Sequence, residues 1–259
     1  DFLALPCELG HNNGVGIDPA YVKGRSQYEK SNSLTFIRDF YSERYSNLRG
    51  DFICCRHTLE HIPNTFEFVG QVRKSIGENY DNVTFFEVPD IVRVLQELAF
   101  WDIYYEHCSY FSPGSLARLF RSCKFAVIDL YREFDDQYLL IEAKPVTRES
   151  KKVHKMEESP EELLEHVHHF SNNCKKELNM WKKRLMQLQA DKKRVAVWGS
   201  GSKCAAFMTT LHVKKEIGCV IDINPYRQGK FLPAVGKQIM APEFLKTFNP
   251  NVTIVMNPT

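Results

Sequence analysis

The chain has no C-x-x-C pair; its eight cysteines are scattered, and only Cys54 and Cys55 are adjacent. That excludes a zinc ribbon or a spaced disulfide framework and fits reduced cytosolic thiols. An excess of either charge is also missing, with 34 Lys and Arg against 32 Asp and Glu, so no long-range field is available to grip nucleic acid or an anionic membrane. No apolar run approaches the roughly 18–20 residues of a membrane span, and the opening DFLALPCELGHNNG has no basic region ahead of an apolar core. Low-complexity tracts and internal repeats are absent. The expectation is a cytoplasmic protein that binds a small, locally recognised ligand and neither nucleic acid nor membrane. The abrupt start, an uncapped apolar-periodic helix over Phe2, Leu3, Leu5 and Leu9, and the equally abrupt end in VMNPT read as a piece of a longer parent.

At 259 residues the leading expectation is two domains. Residues 14–18 (GVGID), 34–40 (LTFIRDF), 50–57 (GDFICCRH) and 82–89 (NVTFFEVP) read as short apolar strands. A helical TFEFVGQVRKSIG with terminal Gly77 separates the last two, and PGSLARLFRSC (113–123) is a second helix opened by a proline. FAVIDLYREF and QYLLIEAKP then close the unit as an antiparallel pair. The alternation predicts an open, mostly parallel α/β sheet with ligands at the carboxyl ends of its strands. A polar shift over 146–160 marks a boundary, after which Ser159, Pro160 and Glu162 form a capping signature for a helix reaching about residue 190. Its stripe of Leu163, Val167, Phe170, Cys174, Leu178, Trp181, Leu185 and Leu188 predicts docking on a domain or bridging of two. RVAVWGSGSKCAAF, IGCVIDINPYRQGKFLP and NVTIVMN make a second α/β unit. The expected organisation is a first domain over 1–147, a linker and long helix over 148–192, and a Rossmann-like domain over 193–259.

Several stretches carry chemistry. DIYYEHCSYFSPGS (102–115) gathers Tyr104, Glu106 and His107. A histidine titrates near neutrality and a neighbouring carboxylate or phenol can tune it, which is what a general-base site needs; a hydrogen-bonded aromatic turn is the plainer reading. Asp18, at the end of an apolar strand, suits the hydroxyls of a ribose or else caps a turn, and Asp39 with Phe40 ends the next strand and could frame an adenine. CRHTLEHI places His57, Glu60 and His61 in an H-x-x-E-H spacing that binds zinc within a helix; here it follows a strand, so no metal set is expected. GSGSKC from Gly199, with Asp222 closing the next strand, imitates a dinucleotide fingerprint and offers a helix N-terminus to phosphate, with Ser200, Ser202 and Lys203 beside it.

Taken together, GVGIDPAYV, FICCRHTLEHIP, FFEVPD, IYYEHCSYFSPGSLARLF, VAVWGSGSKCAAF, VIDINPYRQGKFLP and NVTIVMNP resemble, in order, the bacterial sugar C-methyltransferases that act on nucleotide-linked 4-keto-deoxysugars. The resemblance implies three parts: a small zinc module, here missing, a central S-adenosylmethionine-dependent Rossmann-like domain whose start is also missing, and a C-terminal Rossmann-like domain. The nucleotide-linked sugar would lie between the last two. It further implies Asp18 on the ribose, Asp39 and Phe40 at the adenine edge, and His57 on the methionine side. His107 would be the base that removes a proton next to the ketone, Glu106 its orienting or charge-stabilising partner, Tyr104 a donor to the sugar oxygen or an alternate acid/base, and Glu87 a supporting carboxylate. Ser200, Ser202, Lys203 and Lys230 would serve the phosphates. Tyr105 stands where relatives often carry histidine, and DDQYLL replaces a glycine-rich segment. An O- or N-methyltransferase, an NAD-dependent sugar-nucleotide oxidoreductase and a non-catalytic sugar-nucleotide binder are the rival readings; oligomeric state is left open.

Overall fold

The computed structural model describes residues 2–26, 28 and 31–257. The helix α1 (Ala4–Gly10) has no side-chain N-cap and ends on His11 in the left-handed conformation. It leads into β1 (Gly14–Ile17), which pairs in parallel with β2 (Leu34–Ile37). The register sets Ile17 opposite Ile37, so Asp18 and Asp39 leave the two strands at the same carboxyl edge.

A four-stranded sheet follows, in the order β3-β4-β6-β5: β3 (Phe52–Arg56), β4 (Val83–Pro89), β5 (Phe125–Glu133) and β6 (Tyr138–Pro145). Helices α2 (Thr65–Ile76), α3 (Ile91–Gln96) and α4 (Pro113–Ser122) connect them. β4 is buried along its length except at its two ends, which is why it reads as a continuous apolar run. The expectation of one mostly parallel sheet needs correction. Among the described residues β1 and β2 form a separate two-stranded sheet, and only the β3-β4 pair of the larger sheet is parallel, because the β5-β6 hairpin adds two antiparallel ladders. The core here packs Phe86, Phe120, Phe125, Leu116 and Ile141.

Ser159 and Glu162 exchange side-chain and main-chain hydrogen bonds in a capping box, and α5 (Pro160–Ala190) runs for 31 residues as the capping signature predicts. The apolar stripe docks: Phe170, Cys174, Leu178, Trp181, Leu185 and Leu188 pack into a second core. That core belongs to a parallel sheet ordered β10-β7-β8-β9, made of β7 (Val195–Trp198), β8 (Cys219–Ile221), β9 (Ile239–Met240) and β10 (Val252–Val255). α6 (Ser202–Leu211) covers it, and the four-residue α7 (Leu245–Phe248) precedes β10. Phe100 and Trp101, from a 3-10 turn after α3, also enter this core, with the Phe100 ring stacked 5.8 Å from Phe207. The two cores are thereby tied together by the segment that leads into Tyr104, Glu106 and His107. Among the described residues no helix is long and apolar enough to cross a membrane.

Candidate active site

Arg56 and Glu87 stand opposite each other in the β3-β4 register, so their side chains share a face. Glu87 is 2% exposed and takes a bidentate grip from Arg56, at 2.7 Å from Nε and 3.0 Å from Nη2. The next residue, His57, turns off the strand with φ of +48°. Its N–H donates to the carbonyl of Glu87 and its Nε2 lies 2.6 Å from the Glu87 carboxylate. Burial disfavours a charged His57, but hydrogen bonding to Glu60 and Glu87 and their negative charge prevail and raise its pKa to about 9. Burial likewise opposes ionised Glu87, yet His57 and Arg56 bring it down to about 2. His57 is therefore a charged partner of Glu87.

A 3-10 turn over Leu59–His61 follows. The main-chain carbonyl of Glu60 accepts the N–H groups of Cys108 (2.7 Å) and Ser109 (3.1 Å), which pins the 103–112 segment against it. His61 Nδ1 sits 3.0 Å from the carbonyl of Glu106 and its ring meets that of His107 edge-to-face at 4.9 Å. Tyr104 closes another side of His107 at 4.6 Å. Glu60, His61 and His107 bring one donor atom each within 4.8 Å of one another. Of the H-x-x-E-H residues, His57 lies between Glu87 and Glu60, its Nδ1 3.7 Å from Glu60 Oε1, while Glu60 and His61 cluster with His107. Burial lowers the His107 pKa, outweighing the nearby carboxylate of Glu60, so its imidazole is neutral at pH 7.

Not every expected residue stands as expected. Glu106 is exposed, and its carboxylate accepts from Ser202 Oγ of the second unit at 3.3 Å, so it is not seen orienting His107. The Tyr104 hydroxyl donates to Asp102 at 2.7 Å, and burial with the Asp102 charge raises its pKa. Lys203 is drawn inward: its Nζ donates to Gln137 at 2.5 Å and lies 3.3 Å from Asp102, which also pairs with Arg93. A 16% exposed ammonium joined to a carboxylate ties the two units together and is not a free phosphate ligand. Ser200 is buried with its hydroxyl on Asp222 at 2.5 Å. Asp222 also takes the N–H groups of Ser200 and Asn224 and faces Arg227, which leaves it poorly placed to receive a ribose. Ser202 opens α6 after Gly201, which supplies no side-chain cap, and Lys230 is exposed. Gly199, with φ of +99°, makes the turn that the G-x-G pattern requires.

At the β1-β2 edge, Asp18 Oδ1 accepts the N–H of Ala20 at 2.7 Å, so the turn cap is present. Asp39 is held by Tyr45, Arg44 and the N–H of Phe40; the Tyr45 and main-chain hydrogen bonds keep it below the usual carboxylate range. Phe40 is 71% exposed. Sequence reasoning missed Asp102, Arg93, Gln137 and the role of Glu60. Only contacts between residues far apart in the chain distinguish them. A cavity of about 220 Å³ beside Lys203 is lined by Arg93, Trp101, Gln137, Trp181 and Met256.

Residues 3–130 match the methyltransferase domain family, and residues 139–259 match the family described as the C-methyltransferase C-terminal domain. The two halves of the chain thus resemble a methyltransferase domain and the C-terminal domain of C-methyltransferases. Such methyltransferase domains depend on S-adenosylmethionine as methyl donor. The chain is 28% identical over 201 residues to the C-methyltransferase NovU of Streptomyces niveus; the match takes in 73% of the chain and 46% of NovU. The chain thus spans less than half of that relative's length. Solved structures similar to it include N,N-8-amino-8-demethyl-D-riboflavin dimethyltransferase (RosA) from Streptomyces davawensis, at 15% identity and a TM-score of 0.44 over 56% of this chain and 46% of that one. A SAM-dependent methyltransferase from Archaeoglobus fulgidus has 15% identity and a TM-score of 0.41 over 55% and 80%.

Proposed function

We propose that the enzyme containing this chain transfers a methyl group to a carbon next to the ketone of a nucleotide-linked 4-keto-deoxysugar. The carrying observation is His107: a half-buried imidazole, neutral at pH 7, whose Nδ1 has no partner among the described residues and which is walled by Tyr104 and His61. A C–H beside a ketone is a weak acid, so methylation at that carbon needs a base and donors for the developing enolate. His107 takes the proton while the C–H electron pair moves into the enolate. The high pKa of Tyr104 keeps its hydroxyl protonated and so unsuited as a base; its single O–H, donated to Asp102 here, would turn from Asp102 to reach the sugar oxygen. Glu87 and Arg56 hold His57 charged and fixed.

S-adenosylmethionine, when bound, supplies an electrophilic methyl group on sulfur. Two acids and an exposed aromatic ring at one carboxyl strand edge fit its nucleoside: Asp18 for the ribose, Asp39 and Phe40 for the adenine. The first turn of α6, with Ser202, offers N–H groups to a sugar-nucleotide phosphate, and exposed Lys230 supplies a cation. Internal engagement of Asp222 weighs against NAD at the Gly199 turn. In the full-length enzyme, His107→Asn is expected to abolish solvent deuterium uptake next to the ketone while S-adenosylhomocysteine still binds by calorimetry. Unimpaired uptake would remove His107 from the base role.

A further inference from the structure

Glu60 is 2% exposed; its Oε1 lies 3.7 Å from Nδ1 of the charged His57, and its Oε2 has no hydrogen-bond partner among the described residues. A carboxylate oxygen in that state is costly unless something supplies a proton to it. His107 Nδ1 is another such orphan, buried and unpartnered among the described residues, and the two side chains belong to one cluster with ligand atoms within 4.8 Å of one another. Main-chain bonds from Cys108 and Ser109 to the Glu60 carbonyl hold the two segments in this juxtaposition whatever the side chains do. His61 is already committed through Nδ1 to the Glu106 carbonyl, and the Glu106 carboxylate turns away to Ser202. We infer that Glu60, and not the adjacent Glu106, is the positioning carboxylate of His107.

The inference rests on the proposal that His107 is the base, and it specifies how that base is set. A proton on Nδ1 directed at Glu60 leaves the Nε2 lone pair free. When Nε2 accepts the substrate proton, the imidazolium that forms lies against a buried negative charge, and the C–H electron pair stays on the substrate as enolate. No oxidant or other reactant is needed. The titratable groups facing His107 are Glu60 and His61 on the 3-10 turn, Glu106, Tyr104 and Tyr110 on its own segment, and Asp102 just before it. Among the carboxylates, Glu60 is the one within the His107 cluster.

The test is nitrogen-15 NMR of labelled histidine in the full chain. In the unsubstituted protein the neutral His107 ring is expected as the Nδ1-protonated tautomer; an Nε2-protonated ring overturns the inference without any variant. Glu60→Gln is expected to weaken proton binding at His107 about tenfold, Glu60→Asp to restore most of it, and Glu106→Gln to change it less than twofold. The reverse ranking of Glu60 and Glu106 overturns the inference. So does a titration with zinc ion that perturbs His61 and His107 together at one equivalent, which would make the cluster a metal site. Deuterium uptake that persists in His107→Asn would count against the base reading alone, since tautomer and proton affinity are measured without turnover.

Discussion

Glu87→Gln removes one charge and almost no volume, from a carboxylate joined at once to Arg56 and His57. The fall in its pKa from 4.5 to about 2 corresponds to about 3 kcal/mol of preference for the ionised form in the folded protein. Breaking a buried ion pair by removing one partner costs about 3–5 kcal/mol, which agrees. His57 adds less than its own change would imply, because its side chain is 40% exposed and solvent screens it. The signs differ for the two groups. Glu87 contributes stability above pH 4.5 and loses it as pH falls through about 2. His57 contributes fully below pH 6.5 and loses its share as pH rises through about 9. The substitution should therefore cost about 3 kcal/mol near pH 6 and less at pH 10, where Arg56 alone still needs the carboxylate. Urea unfolding at both pH values, followed by backbone circular dichroism, measures the cost. NMR titration of His57 measures its midpoint, expected near 9 and lower in the variant. A cost under about 1 kcal/mol at pH 6, or a His57 midpoint near 6.5 in the unsubstituted protein, would refute the reasoning.

Leu185 is fully buried where α5 meets the second core, so Leu185→Ala should cost about 2–5 kcal/mol in thermal or urea unfolding, and a loss under about 1 kcal/mol would mean the helix is not docked there. Cys108 is the exposed thiol, whereas burial pushes Cys54 and Cys204 up to about 12. Iodoacetamide at pH 8 with mass-spectrometric readout should modify Cys108 first, and faster labelling at Cys54 would contradict the described packing.

The elements were legible wherever a local rule governs them. The capping box at Ser159 and Glu162, the left-handed glycine at Gly199 and the 3.6-residue stripe of α5 each act over a few residues, so the chain announces them. What sequence reasoning could not see is who pairs with whom across the fold. Glu106 adjoins His107 in the chain, and adjacency suggested partnership; the turn at 103–112 instead sends the Glu106 side chain to Ser202 and brings His107 to Glu60, 47 positions away. Lys203 looked like a phosphate ligand because it follows a glycine turn, yet Asp102 and Gln137 lie within its reach and a buried ammonium needs such partners. Division of the β1-β2 and β3-β4-β6-β5 sheets was likewise invisible, since strand composition says little about which edges meet.

The long α5 helix has a consequence of its own. Near its start it packs against α3, where Gln96 meets His166 at 3.3 Å, and near its end it packs against α6. At 1.5 Å per residue its 31 residues make a strut of about 46 Å, and at 100° per residue its length is also a phase. One residue inserted between the two contacts would swing the α6-facing side about a quarter of a turn away from its partner. The length of the helix thus sets the angle between the two units as firmly as the distance, and with it how Ser202 and Lys203 are presented to Glu106 and Asp102.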